Sequence, residues 1–109
     1  MGAEALQGAL ALLVLKTLSR APKAGMHGFG IAVHIQAGSQ ELLRVEEGSL
    51  YPALHRMEQA GWIRASWGRT ENQRRARYYR LTPAGRKRLE QEQRSWQQVT
   101  SAVAAFLGA

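Results

Sequence analysis

The spacing of the apolar residues changes twice along this chain of 109 residues, and that change restricts the fold more than any other feature. Up to Gly61 apolar residues recur every three or four positions, as on helices. From Trp62 to Leu81 they alternate with polar residues, as on strands, and from Thr82 onward the helical spacing returns. A chain of about a hundred residues forms one domain. The predicted order is therefore several helices, a β-hairpin and a final helix.

The first predicted helix runs from Ala5 to Leu18 and is apolar on nearly every side. One of its faces carries Leu6, Leu10 and Leu13. A single small core rarely covers a helix all round, so we expect a second copy of the chain to cover part of it. Its most apolar stretch is too short to cross a bilayer, which indicates a protein that does not span a membrane, and we expect a cytoplasmic location.

Two shorter helices are predicted at Gly28–Ala37 and Gly48–Ala60. Pro52 is tolerated only in the first turn of a helix, so it marks the start of the third one. The expected core contacts of the second helix are Phe29, Ala32, Val33 and Ile35. Those of the third helix are Leu50, Leu54 and Met57.

Two strands are predicted, at Trp62–Trp67 and Ala76–Leu81, with a polar and basic hairpin loop between them. Alternation along the second strand places Tyr79 on the same face as Leu81. We therefore expect Tyr79 to belong to the core.

The last helix is predicted to begin at Thr82 and Pro83 and to reach about Leu107, because Thr suits the cap position and Pro the first turn. Apolar residues recur along it with heptad spacing, at Leu89, Trp96, Val99, Val103 and Phe106. Such a seam predicts a contact between two copies of the helix. The alternative is a helix that folds back on its own core.

The positive charge of the chain is concentrated in one segment. The formal net charge is +7, yet Arg64–Arg88 holds nine basic residues and one acid, a net of +8, and the remainder nets −1. A local basic patch favours a polyanionic partner such as nucleic acid. The alternative is a solvated basic face.

Catalysis and metal binding are disfavoured. The chain has no Cys and no Asp, and its three His residues are scattered among the predicted helices. No set of nucleophile, base and orienting residue is indicated, and metal sites need three or four converging ligands. We expect no enzyme activity, no cofactor and no metal.

This order of elements is that of a mainly α protein with a small antiparallel β-hairpin, a winged helix–turn–helix with a long C-terminal dimerisation helix. Residues 1–82 form the expected DNA-binding domain and residues 83–109 the dimerisation helix. In such domains the third helix enters the major groove, and a basic wing follows the backbone. The candidate DNA contacts on the third helix are Ser49, Tyr51, Pro52, His55 and Arg56. Those of the wing are Arg69, Arg74, Arg75 and Arg77. Packing remains an alternative role for Tyr51, and a solvated face for His55 and Arg56.

Several segments closely resemble the PadR family of transcriptional regulators. The most specific are Gly48–Leu54, which reads GSLYPAL, and Tyr78–Gly85, which reads YYRLTPAG. The resemblance implies a homodimer that binds double-stranded DNA at a pseudo-palindromic operator, most often as a repressor. Phe29 stands where the family usually has Tyr, and Glu47 where Pro is common, which alters how the third helix begins.

The resemblance also implies roles for single residues. Ser49, Tyr51 and Pro52 fall where the recognition helix of the family meets DNA, and Arg74, Arg75 and Arg77 fall in its wing. Some short members bind flat aromatic molecules at the dimer interface, so Trp96 is the candidate contact for a small aromatic effector, with plain packing as the alternative. A protein-interaction module without specific DNA binding, and a structured-RNA binder, remain the other candidate functions.

Overall fold

The computed structural model describes residues 3–108, and the side chains of residues 9–108. Its elements follow the predicted order, and their bounds are α1 Ala3–Ser19, β1 Met26–His27, α2 Gly28–Gly38, α3 Glu47–Gln59, β2 Ile63–Arg69, β3 Arg75–Leu81 and α4 Pro83–Phe106. The expectation of a mainly helical chain with one hairpin and a long final helix is confirmed.

The sheet has one strand more than the predicted hairpin. Its order is β1-β3-β2, with both pairings antiparallel, and β1 places His27 opposite Tyr78. A strand of two residues shows no alternation, so the sequence pattern does not reveal it. Gly25, with φ of +89°, leads into this strand, and a Cβ there would overlap the carbonyl of Tyr79. Only glycine allows the chain to approach β3 this closely.

The core lies around α1, which packs against α2, α3, the base of the sheet and the first part of α4. Val14 and Leu15 of α1 are completely buried, together with Ile31 of α2. The buried hydroxyl of Thr17 donates to the carbonyl of Leu13 at 2.8 Å, which satisfies it inside the helix.

The prediction for the core face of α2 is wrong at two residues. Phe29 is 68% exposed and Val33 49% exposed, whereas Ile31 and Ile35 are buried. The helix carries two apolar stripes of equal i, i+4 spacing, and periodicity cannot choose between them. The aliphatic stripe packs on the core, and the stripe of Phe29 and Val33 borders the space between α2 and the hairpin.

The start of α4 is fixed to the turn that follows α3. The Thr82 hydroxyl accepts a hydrogen bond from the Gly85 N–H at 3.0 Å and donates to the carbonyl of Gly61 at 2.6 Å. A Cβ on Gly85 would overlap the carbonyl of Trp62, so α4 crosses the chain there in close contact. The predicted cap is confirmed. Beyond this joint α4 extends past the core, and the molecule measures 52 × 28 × 22 Å.

Candidate nucleic-acid interface

The helix α3 has one buried face and one exposed face. Its buried residues are Leu50, Ala53, Leu54 and Met57. Of the candidate contacts, Tyr51, Pro52, His55 and Arg56 are exposed and Ser49 is half-buried. Helical geometry places Pro52 and His55 opposite the core, together with Gln59, an exposed residue that is not among the predicted contacts. The signal in the sequence is its position four residues after His55, which places both residues on the same helix face.

Tyr51 lies on the same flank of α3 as Glu58, two turns earlier, where that flank meets α2. Its ring packs on Gly28, where a Cβ would lie 2.8 Å from the Tyr51 hydroxyl oxygen, yet 44% of the residue is exposed. Both roles left open by the sequence therefore have a structural basis. One edge of the ring packs against the protein, and the rest faces solvent.

The register of the hairpin explains how a core-forming strand face becomes a basic surface. Ile63 pairs with Leu81 and Ala65 with Tyr79, and this end of the face is in the core, which confirms the prediction for Tyr79. The same face continues beyond the core, and there it carries Trp67, Arg69, Arg75 and Arg77. We call these four residues the inner wing face. Three of them are arginines.

Four interactions hold the side chains of the inner wing face in place. The Arg75 guanidinium lies 4.3 Å from the centroid of the Trp67 ring, and the Arg77 guanidinium 5.9 Å from it. Arg77 Nη2 also forms an ion pair with Glu58 Oε2 of α3 at 3.0 Å. Arg69 donates to the carbonyl of Gln73 in the hairpin loop at 3.2 Å. The wing is thus tied to α3 by one of its arginines.

Three other basic residues of Arg64–Arg88 lie away from the inner wing face. Arg64 and Arg80 face each other across β2 and β3, on the side of the sheet away from Trp67, and both are exposed. Arg88 lies on α4, pairs with Glu92 at 2.6 Å and stacks 4.7 Å from the Trp62 ring. The concentration of charge in the sequence therefore divides over several surfaces.

A cleft of about 1070 Å³ separates the wing from α2 and α3. On the helix side it is bordered by Phe29, Tyr51 and His55, and on the wing side by Trp67, Arg74, Arg75 and Arg77. One concave surface thus brings together Tyr51 and His55 of the helix candidates with Arg74, Arg75 and Arg77 of the wing candidates. The other candidates lie outside its lining, namely Ser49, Pro52, Arg56 and Arg69. At its floor the ring of His27 meets that of Tyr78 edge to face, with centroids 5.4 Å apart.

Two titratable side chains near the cleft have structural roles. Burial raises the pKa of Tyr79 above its ordinary value, and the neighbouring Arg77 partly offsets that rise. His27 caps α2, since its Nδ1 accepts a hydrogen bond from the Gly30 N–H at 3.0 Å. Within the described part of the chain no three potential metal ligands converge. None of the helices in that part is long and apolar enough to cross a membrane.

The predicted dimer residues fall into three groups. Leu6 lies in the part of α1 whose side chains are outside the described residues. Leu10 and Leu89 are buried in the core of the protomer, and Leu13 is partly buried against it. Trp96 is half-buried, and the three residues beyond it are exposed, namely Val99, Val103 and Phe106.

Comparison with known proteins agrees with this architecture. Residues 14–91 match the PadR-like family of transcriptional regulators. Transcriptional regulator Rv3488 of Mycobacterium tuberculosis is 35% identical over 89 residues, which cover 82% of this chain and 79% of that protein.

Two solved structures share the fold over almost their whole length. A transcriptional regulator from Clostridium thermocellum superposes with a TM-score of 0.84 at 28% identity, covering 95% of this chain and 98% of that one. A PadR-like transcriptional regulator from Bacillus cereus superposes with a TM-score of 0.80 at 25% identity, covering 98% and 99%. The predicted winged helix–turn–helix with a long C-terminal helix is confirmed.

Proposed function

Because this chain belongs to the PadR-like family of transcriptional regulators, we propose that it is a sequence-specific regulator that binds double-stranded DNA as a homodimer. The observation that carries this proposal is the shared cleft. Tyr51 and His55 of α3 lie across this cleft from the hairpin. The hairpin side of the cleft is basic, because it carries Arg74, Arg75 and Arg77. With α3 in the major groove, the wing meets the backbone of the same duplex.

The two sides of the cleft have different tasks in this proposal. Pro52, His55 and Arg56 of α3 project toward base edges and supply sequence preference, and Ser49 and Tyr51 reach the flanking backbone or bases. Arg69, Arg74 and Arg75 of the wing meet phosphates or the minor groove and supply affinity for any sequence. Specificity then comes mainly from α3.

The homodimer is proposed from the exposed stripe of α4. Trp96, Val99, Val103 and Phe106 have the i, i+3, i+7, i+10 spacing of a helix–helix seam, and Phe106 is 91% exposed. Burying these side chains from two protomers contributes on the order of 10 kcal/mol. Association itself costs about 4–15 kcal/mol, so we propose that α1 adds to the interface. Residues 83–109 would then dimerise the DNA-binding domain formed by residues 1–82.

A twofold dimer implies a pseudo-palindromic operator, with half-sites about 10 bp apart or a multiple of that distance. We propose that binding represses transcription in the cytoplasm, as the family resemblance implies. Trp96 is the residue through which a flat aromatic effector would act at the dimer interface. Its half-buried ring beside the exposed stripe supports this assignment.

The dimer is tested by sedimentation of Val103→Glu/Phe106→Glu at micromolar concentration. We expect the wild-type chain to be dimeric and the double variant monomeric, because two charges per protomer enter the seam. The matched control is Gln91→Glu/Gln98→Glu, which adds the same charges at exposed positions of α4 outside the stripe. A monomeric wild-type chain, or equal dissociation of both variants, would contradict the proposed interface.

DNA binding is tested by titrating a fluorescent duplex with the wild-type chain at several salt concentrations. Neutralised phosphates release counterions, so log K should fall linearly with log salt. A protein-interaction module would show no such dependence, and an RNA-binding protein would prefer a structured RNA competitor over the duplex. Either result would contradict the proposal.

A further inference from the structure

One acidic side chain stands in the basic cleft and is paired there. Glu58 lies in the last turns of α3 on the flank that faces the wing, and its Oε2 is 3.0 Å from Arg77 Nη2. The two residues are 19 positions apart, so the ion pair joins the recognition helix directly to β3. The Glu58 side chain is 29% exposed and that of Arg77 42%.

This pair reduces the number of wing arginines whose charge is free to bind a DNA phosphate. Arg77 shares the inner wing face with Arg69 and Arg75, yet its charge is compensated by Glu58. Arg69, Arg74 and Arg75 take part in neither of the two ion pairs that the described residues form. An arriving phosphate therefore meets three uncompensated arginines and one neutralised pair.

The pair also restrains the wing relative to α3, within the small free energy that a partly exposed ion pair contributes. Arg77 lies beside the Trp67 ring that stacks with Arg75, so Glu58 restrains one end of an aromatic and arginine stack. The geometry of that stack decides which phosphates the wing reaches when α3 occupies the major groove.

We propose that Glu58 is a specificity-determining residue, which keeps Arg77 away from DNA phosphates and fixes the wing against α3. This inference rests on the proposed DNA binding. Random DNA is held almost entirely by phosphate contacts, so an additional free arginine strengthens random binding. Without the Glu58 carboxylate, a specific complex would gain the same phosphate contact, but the wing would no longer be restrained relative to α3. Glu58 thus raises the ratio of specific to random affinity.

The test is Glu58→Gln, which removes the charge and retains the shape of the side chain. Partly exposed ion pairs contribute little to stability, so the variant should fold with a nearly unchanged Tm. On a random 24-bp duplex the slope of log K against log salt should steepen by about 0.9 per protomer, since Arg77 becomes free to meet a phosphate. Between 50 and 200 mM salt this corresponds to about a 3.5-fold larger loss of affinity per protomer.

The matched control is Glu71→Gln. Glu71 is exposed in the loop of the wing, borders the same cleft and takes part in neither ion pair of the described residues. Its substitution changes the net charge equally but releases no arginine. We expect it to leave the ratio of specific to random affinity unchanged, whereas Glu58→Gln lowers that ratio on a duplex selected from genomic DNA.

A second variant separates Arg77 from general charge effects. In Glu58→Gln/Arg77→Gln the freed arginine is absent, so the salt slope on random DNA should return to the wild-type value. The inference is overturned if Glu58→Gln and Glu71→Gln give the same slope and the same affinity ratio, or if the double variant keeps the steeper slope. If the wild-type chain binds no duplex at all, the proposed function fails and the role of Glu58 fails with it.

Discussion

Replacing Arg75 by Ala should weaken the salt dependence of DNA binding, and the size of the effect follows from the arrangement of the wing. Arg75 is exposed, lies 4.3 Å from the Trp67 ring centroid and borders the cleft. If each protomer neutralises one phosphate through each of Arg69, Arg74 and Arg75, the wings of a dimer give a slope of about −5.

The Arg75→Ala dimer loses two of these contacts, so its slope should be shallower by about 1.8. When the salt concentration is raised from 50 to 200 mM, both dimers lose affinity. The fold-loss of the variant should be about 12 times smaller than that of the wild-type dimer. The assay is fluorescence anisotropy on a random 24-bp duplex at four or more salt concentrations. The emission of Trp67 should also change, because its stacked guanidinium is absent.

Arg64→Ala provides the matched control, because it removes the same charge from the same sheet on the opposite face. Arg64 is exposed opposite Arg80, and we expect the wild-type slope for this variant. Equal slopes for Arg64→Ala and Arg75→Ala would refute the reasoning, since they would show that total charge and not the inner wing face determines binding.

Three further predictions concern stability. Thr82→Val removes the hydroxyl that caps α4 and should lower stability by about 1 kcal/mol in thermal unfolding, whereas Thr82→Ser should retain most of it; equal loss in both would contradict the capping role. Gly85→Ala places a methyl group against the Trp62 carbonyl and should cost about 1–3 kcal/mol; a wild-type Tm would show that α4 can shift without cost. Because burial raises the pKa of Tyr79, the folded state favours the neutral phenol. The contribution of Tyr79 to the free energy of unfolding is therefore complete below a pH of about 10 and is lost as the pH rises above that value. Tyr79→Phe should therefore reduce the alkaline loss of stability, and an unchanged alkaline limb in denaturant titrations would contradict this.

The order of elements could be predicted from the sequence because the apolar spacing differs between helices and strands. The turn signals at Gly61, Pro52 and Thr82 placed the element ends within a few residues of those observed. The core face of α2 could not be predicted, because Phe29 and Val33 repeat with the same spacing as the aliphatic residues. Only the packing of α1 and the sheet decides between the two stripes.

The candidate site could be predicted in composition but not in geometry. The sequence indicates a basic hairpin, yet strand register divides its arginines between two faces and places Arg64 away from the cleft. The pairing of Arg77 with Glu58 depends on how α3 meets β3, and no spacing of 19 residues in a sequence reveals such a contact. Exposure of Gln59, in contrast, could have been predicted, because it lies four residues after His55 on the same face of the helix.

We propose above that two copies of this chain bind one symmetric DNA sequence through α3 and the wing. The most direct measurement is to incubate the protein with sheared DNA from its own genome, recover the bound fragments and sequence them. We expect an enriched motif with two related half-sites whose centres lie about 10 bp apart or a multiple of that distance. Recovery of fragments without any shared motif, or of a motif without twofold symmetry, would contradict it.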